Sequence, residues 1–368
     1  MRSLKIAVDA RPLAQPMVGI TRYTYELLKR LTFNSPHQWY LYLDRPCIHS
    51  LELLPNVHIR EGNCSANFVS SFFAQLVFPV WAHKDSIDVF WSPRHHLPLL
   101  LPNKVKKIVT IHDLVWKFYP HTMTILGRYL ERLLMPCSIK SAAKVIAISG
   151  ATAGSLKKEL LVLPEKIVTI PLASYLQPVD AGGVVETGDA EYFLFVGTLE
   201  PRKNLDRILK AFSLALQRGL KVKELKIVGG SGWGGVDIAD LVIEYGIDAN
   251  VIVLGKVENE QLRSLYQNAY VLLMPSLYEG FGLPIIEAMS FGVPVVSSNV
   301  SSMPEVVGEG GLLVDPYSID ELVDAICLID SDKDRYAQLS ASAKSHAAHF
   351  SWDSTAAATL SAIEQLLE

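Results

Sequence analysis

Short apolar runs alternate with helical patterns along this chain in two successive series, and that rhythm admits little besides βα units stacked around parallel sheets. In the first series the spacing predicts strands over Leu4–Val8, Trp39–Leu43, Val57–Ile59, Ile87–Trp91, Lys107–Ile111, Lys144–Ile148 and Ile167–Ile170. Helices are predicted over Ile20–Leu31, Ser70–Trp81, Ile125–Ala142 and Ala151–Glu159. The stretch from Ser174 to Glu191 has Gly, Pro and Asp but few large apolar residues, and reads as a linker. The rhythm then restarts, with strands over Tyr192–Val196, Glu224–Val228, Asn250–Leu254, Ala269–Met274, Pro294–Ser297 and Gly311–Val314. Helices are predicted between them, over Leu205–Gln217, Asp237–Tyr245, Asn259–Asn268, Leu283–Ser290 and Ile319–Ile329. The tail reads as a separate helix with Ser351 or Asp353 placed to cap it. The expected organisation is a first α/β domain over residues 1–175, a second over 176–349, and a helix over 350–368 that packs back on the first. Ligands of such sheets bind at the carboxyl ends of the strands, and two facing domains add a cleft.

The bulk numbers agree with that plan. A length of 368 residues suits two domains, and 49% hydrophobic against 20% charged residues gives each a core. No apolar run is long enough to span a bilayer, and the first nine residues read as a strand rather than a leader. Cys47, Cys64, Cys137 and Cys327 are scattered, without metal-ligand or disulfide spacing, so a reducing cytoplasm is expected. Charge is uneven. Residues 1–175 hold 21 Lys/Arg against 11 Asp/Glu, and the remainder holds 13 against 27. A basic half points to an anionic surface, with two separately solvated halves as the plainer reading. No nucleic-acid recognition motif accompanies it.

The most informative stretch is Glu279-Gly280-Phe281-Gly282-Leu283-Pro284-Ile285-Ile286-Glu287, directly after a predicted strand. Pro284 suits a first helical turn, and the two glycines let backbone approach a ligand. The helix start offers free N–H groups and a positive dipole end to a diphosphate. A lone glutamate in a surface turn would carry little; two around such a turn carry more. A second array, Gly197-Thr198-Leu199-Glu200-Pro201-Arg202-Lys203-Asn204, puts a basic pair before a helix, placed to neutralise a pyrophosphate.

With seven residues between Glu279 and Glu287 in this context, nearly the whole chain resembles the retaining glycosyltransferases of family 4. The resemblance implies the GT-B fold: two Rossmann-like domains with an interdomain cleft. It implies that Glu279 lies beside the donor sugar and that Glu287 holds the ribose hydroxyls. It also implies that the amides after Gly280, those of Phe281, Gly282 and Leu283, face sugar and diphosphate. Arg202 and Lys203 would supply positive charge. Many relatives have Arg where this chain has Thr198, which leaves Arg202 the less secure of the two. His112, at a strand end beside Asp113, matches a histidine that contacts the donor sugar, with Asp113 orienting it or meeting the acceptor. Gly19 belongs to a loop that closes over the diphosphate, with Thr21 where a second glycine is usual. Val257 stands where relatives grip the base through the main chain.

Weaker signals surround these. Arg22 divides between a phosphate or acceptor contact and a helix-start cation. Arg94 and His95 follow a strand and are placed for the acceptor, and Ser149 reads as a helix cap or a site residue. Gly230-Ser231-Gly232-Trp233-Gly234-Gly235 matches a dinucleotide fingerprint, but no acid follows at the next strand end, so NAD is set aside. The run Phe68–Trp81 reads first as a buried helix and second as a face toward a lipid-linked acceptor, aided by Lys104, Lys106 and Lys107.

Within the family, Asp9-Ala10-Arg11-Pro12 and Thr198–Asn204 resemble mannosyl- and rhamnosyltransferases of O-antigen assembly. That resemblance implies a cytoplasmic hexosyltransferase, at the inner membrane face where its acceptor is lipid-linked. GDP-mannose or a related GDP-sugar would be co-substrate, with a UDP-hexose as runner-up. The acceptor would be a glycan or lipid-linked glycan. No cofactor or metal is expected. The rivals are a sugar-nucleotide epimerase on the same fold and a catalytically silent assembly partner.

Overall fold

The computed structural model describes residues 2–49, 54–64, 67–178, 192–232, 234 and 237–367, with only the backbone of residues 67 and 68. The linker stretch from 179 to 191, and Trp233 and Gly235 of the glycine-rich run, lie outside the described residues.

The chain folds as two compact units. The first comprises Met1–Trp116, Ile125–Leu172 and Trp352–Glu368, and the second Lys117–Thr124 and Ala173–Ser351. In chain order the elements are β1 (Lys5–Asp9), α1 (Ile20–Phe33), β2 (Gln38–Leu43), β3 (Val57–Glu61), α2 (Asn67–Asp85), β4 (Val89–Ser92), β5 (Lys106–Ile111), α3 (Val115–Phe118), α4 (Ile125–Ser141), β6 (Lys144–Ala147), α5 (Gly150–Leu160) and β7 (Ile167–Thr169). There follow β8 (Tyr192–Val196), α6 (Leu205–Gln217), β9 (Leu225–Val228), α7 (Ile238–Glu244), β10 (Val251–Gly255), α8 (Asn259–Gln267), β11 (Ala269–Met274), α9 (Leu283–Ser290), β12 (Val295–Ser298), α10 (Met303–Val307), β13 (Gly311–Val314), α11 (Ile319–Ser331), α12 (Lys333–Ala347) and α13 (Trp352–Glu364).

The first sheet runs β3-β2-β1-β4-β5-β6-β7 and the second β10-β9-β8-β11-β12-β13, both wholly parallel. Both orders reverse direction beside their first strand, the doubly wound pattern whose ligands sit outside the strand ends at that reversal. Helices cover both faces of such a sheet, so its inner strands are apolar throughout rather than alternating. All five residues of β8 are buried accordingly.

In the second unit Phe193, Phe195 and Phe212 join α6 and α11 in one core, and each fully buried ring contributes roughly 1.5–3 kcal/mol. In the first unit α2, α4 and α5 share a core through Ala74, Phe78, Met135, Ile139 and Leu156. The helix over Phe68–Trp81 is thus buried along one stripe only. Phe72, Leu76 and Val80 on its other side are exposed.

The C-terminal helix packs on α1. Tyr23 meets Trp352 at 6.3 Å, Arg30 Nε donates to Asp353 at 2.7 Å, and Thr355 Oγ1 donates to Pro171 O at 2.8 Å. The segment Lys117–Thr124 groups with the second unit, where the Tyr119 ring lies 5.8 Å from that of Tyr278 and its hydroxyl donates to Leu277 O.

Candidate functional site

In the second unit β8 and β11 are neighbours, so the loops that leave them lie side by side. After β8 a short turn over Pro201–Lys203 ends at Asn204, whose backbone is left-handed (φ 66°). The Asn204 amide donates to Pro275 O at 2.9 Å and to Pro316 O at 2.7 Å, and Leu277 N donates to Arg202 O at 2.8 Å. These bonds stitch the two loops together and bring both cations onto Glu279. Lys203 Nζ donates to Glu279 Oε1 in a short contact, and Arg202 Nη1 reaches Oε2 at 3.1 Å. Arg202 also donates to Glu200 and to Tyr278 O.

Glu279 is 8% exposed. Burial alone would raise its pKa, but the charges of Lys203 and Arg202 outweigh this and hold it at about 2. The carboxylate is therefore ionised at neutral pH and accepts hydrogen bonds rather than giving protons. Lys203 is equally buried; burial pushes its pKa below the ordinary value, while Glu279 pulls it back up. The Glu279 backbone is fixed by the loop after β12: Ser301 Oγ donates to Glu279 O at 2.5 Å, and Ser302 Oγ to Phe281 O at 2.9 Å.

Gly282 caps α9 with φ 101°, a conformation that favours glycine, and among the described residues no side chain caps the helix. Its N-terminus is thus open for an anion beside the Lys203–Arg202 pair. One helical turn on, Glu287 is buried and accepts from Tyr266 Oη at 2.8 Å. Gly280, Phe281 and Leu283 lie in the same turn. Thr198 is exposed at the end of β8, and Val257 is half-buried after β10.

The glycine-rich run has a packing role. A Cβ at Gly229 would lie 1.8 Å from Gly197 O, and one at Gly232 would strike Glu200 and Thr198. These glycines let the loop press against the Gly197–Glu200 turn.

The first unit gathers a second group at its strand ends, since β4 lies between β1 and β5. His112, after β5, is buried. Its Nε2 lies 2.8 Å from Pro93 O, which can only accept, so the proton is on Nε2 and Nδ1 remains an acceptor. Burial first, and then His95, push His112 down to about 3, so it stays neutral at physiological pH. His112 N donates to His95 Nε2 at 3.1 Å, and His95 Nδ1 faces Glu131 Oε2 at 3.2 Å. His96 meets the same carboxylate at 3.1 Å, and the two imidazoles hold Glu131 well below the usual carboxylate range despite its burial.

Asp113 Oδ1 accepts from Val115 N at 3.0 Å, closing a turn before α3, while Pro93 O holds the His112 ring and His95 Nε2 holds its backbone amide. Gly19 precedes α1 with φ 46° and open space around it. Thr21, in place of the usual second glycine, donates to Pro12 O at 3.0 Å and pins the helix start. Arg22 pairs with Glu26 one turn along α1 at 3.7 Å. Ser149 caps α5 by accepting from Thr152 N. The structure therefore collects Arg202, Lys203, Glu279 and Glu287 with the α9 turn in one unit, and His112, His95 and Arg94 in the other.

Sequence reasoning missed Glu131 and Tyr266. Each lies inside a helix, and only its partner across the fold distinguishes it.

Residues 17–173 match the family model described as Glycosyltransferase Family 4, and residues 183–346 the one described as Glycosyl transferases group 1. O-antigen chain mannosyltransferase B of Escherichia coli is 30% identical, over 99% of this chain and 100% of that protein. Among solved structures, sucrose-phosphate synthase from Thermosynechococcus elongatus superposes with a TM-score of 0.79 at 21% identity, covering 99% of both chains. HepE from Anabaena, in complex with UDP, gives 0.73 at 17% identity, covering 98% of this chain and 100% of that one. These likenesses carry the GT-B fold.

Proposed function

Since this chain belongs to the family 4 glycosyltransferases, we propose that it transfers a hexose, mannose or a rhamnose, from a GDP-linked donor to a lipid-linked or polysaccharide acceptor, with retention of configuration. The buried Glu279 carboxylate clamped by Lys203 and Arg202 carries the reading. In this reading the donor diphosphate lies on the α9 N-terminus. Glu287, held by Tyr266, receives the ribose hydroxyls, and the ionised Glu279 accepts from the sugar hydroxyls. As the bond from the anomeric carbon to the phosphate oxygen breaks, its electron pair stays on the nucleoside diphosphate. Lys203 and Arg202, already fixed in a buried setting, stabilise that growing charge without reorganising. The acceptor oxygen bonds the same face of the anomeric carbon, and its proton passes to the departing phosphate. A carboxylate held by two cations is a weak nucleophile, which favours this front-face course over double displacement. The neutral His112, with Nδ1 free to accept, suits a contact with a sugar hydroxyl.

The GDP preference follows from likeness to an O-antigen mannosyltransferase; the UDP bound to HepE keeps a UDP-hexose as the alternative. A thermal-shift panel of GDP, UDP, ADP and dTDP, each with and without EDTA, decides between them. A ligand at a hundredfold its Kd adds about 2.7 kcal/mol to stability. A GDP-selective shift unaffected by EDTA is expected; a UDP-selective one overturns the donor, and no shift with any nucleotide overturns the enzyme reading.

The same proposal includes contact with an anionic lipid surface. α2 and α4 cover one face of the first sheet, and Gln75 on α2 bonds Leu97 O and Leu99 N between them. Across this layer Phe72, Leu76, Leu99, Leu100, Ile125 and Leu133 are exposed. Residues 67–142 hold nine Lys/Arg against four Asp/Glu, and exposed apolar side chains in a stretch with excess positive charge favour such a surface. Among the described residues no helix is long and apolar enough to cross a membrane.

A further inference from the structure

Among the described residues, the charged side chains at the strand ends of the first unit are hydrogen-bonded or ion-paired with one exception. Asp9 and Arg11 form a bidentate pair, Arg11 Nε to Oδ1 at 2.8 Å and Nη2 to Oδ2 at 2.6 Å, and Arg11 Nη1 also donates to Ser70 O at 2.8 Å. Asp44 meets Arg45 at 3.2 Å, and Glu131 meets His95 and His96. Arg94 is the exception. Its guanidinium is half-buried, yet among the described residues it makes no hydrogen bond and no ion pair; only its carbonyl is engaged, accepting from Ser92 Oγ at 3.0 Å. Burial and the like charge of Arg11 both weigh against the charged form, while Asp9 and Glu131 attract it without bonding it.

Among the described residues the five donors of the guanidinium are unused, and none of its nitrogens is closed off from solvent, so an incoming acceptor can reach them. Its position says where that partner comes from. Arg94 follows β4, next to β1, where the order of the first sheet reverses. Strand ends flanking such a reversal form the crevice in which ligands of doubly wound sheets lie. His112 opens from the adjoining β5, so the same edge also carries the neutral imidazole that contacts sugar in the proposed function.

We propose that Arg94 is the anchor of an oxyanion-binding subsite, and that the acceptor carries a phosphate ester or a sugar carboxylate close to the hydroxyl that receives the hexose. The assignment to the acceptor rests on the glycosyltransferase reading; the oxyanion subsite itself does not. Guanidinium recognises either group through two parallel N–H···O bonds, a geometry that a lysine ammonium does not reproduce.

The test uses the full chain saturated with GDP, so that the cations of the second unit are covered. Methyl phosphate and glucuronate are then titrated separately by calorimetry into wild type, Arg94→Gln and Arg94→Lys. Binding of at least one probe by wild type is expected, weakened roughly tenfold to hundredfold in Arg94→Gln, the range for losing charge-assisted bonds, and only partly restored in Arg94→Lys. Methyl phosphate alone points to a phosphate ester, and glucuronate alone to an acidic sugar; either supports the subsite. The proposal is overturned if wild type binds neither probe, or if Arg94→Gln binds them as wild type does. Because the guanidinium bonds nothing among the described residues, Arg94→Gln should melt no lower than wild type; a clear fall in melting temperature with unchanged titration would make Arg94 structural. The GDP saturation step reports separately on the donor reading.

Discussion

Replacing Lys203 by methionine removes one ammonium and keeps the length of the side chain, so it tests the clamp on Glu279 directly. The carboxyl titrates at about 2 rather than at 4.5, a difference of about 3 kcal/mol in favour of the ionised form. The pKa is lowered in the folded state, so this stability is fully present above pH 4.5 and is lost as pH falls through about 2. Lys203 and Arg202 supply it together against the cost of burial. In Lys203→Met, Arg202 at 3.1 Å is left alone to neutralise a carboxylate that is 8% exposed. Breaking one side of a buried pair typically costs 3–5 kcal/mol; with Arg202 still in place the lower end applies, about 3 kcal/mol. For a unit of this size that lowers the melting temperature by roughly 6–12 °C. Turnover, followed as nucleoside diphosphate release, should fall about a hundredfold to a thousandfold, the usual effect of deleting one preorganised donor to a developing anion. The double variant Lys203→Met/Glu279→Gln removes both charges. It should recover most of the lost stability while staying inactive, which separates folding from chemistry. Near-normal turnover in Lys203→Met would refute the reasoning, as would a double variant no more stable than the single.

Three further outcomes follow from the same geometry. His112 has a folded-state pKa of about 3 against 6.5 in the unfolded chain, so the unfolded state binds the extra proton and stability declines as pH falls from 6.5 toward 3. Melting curves of His112→Gln across that window should show a shallower acid limb, and superimposable limbs would remove His112 as a contributor. Wild type should sediment with anionic phosphatidylglycerol vesicles and not with neutral phosphatidylcholine. Phe72→Ser/Leu76→Ser/Leu133→Ser should reduce that by orders of magnitude, since each inserted side chain contributes roughly 1.5–3 kcal/mol; unchanged sedimentation would dismiss the α2–α4 layer as the contact. Gly229→Ala should cost at least about 1–3 kcal/mol, because its Cβ would fall 1.8 Å from Gly197 O; a wild-type melting temperature would show that the loop yields.

Much of this was legible in one dimension. Each predicted strand is present, most with ends shifted by only a residue or two, because alternating apolar runs bounded by turn residues report a local backbone geometry. The turn Glu279–Glu287 could be read for the same reason, since Gly282 at φ 101° and Pro284 in the first helical turn answer to purely local demands. The helix α12 escaped notice. Its buried residues are Leu339, Ala343 and Ala347, mostly small, on an otherwise polar segment that packs against α9, and so weak an apolar stripe carries little periodic signal.

What the sequence determined by itself was the two series of βα units and which short stretches hold charge beside glycine turns. Only the tertiary structure decided which charges meet. Lys203 and Glu279 are 76 positions apart and become a pair because the sheet order sets β8 beside β11. Glu131 becomes the partner of His95 and His96 because α4 packs over the loop after β4. The same order leaves Arg94 at the reversal of the first sheet without a partner among the described residues. Periodicity is written by backbone geometry within a few residues, whereas a charge pair is written by strand order, which no local stretch of the chain contains.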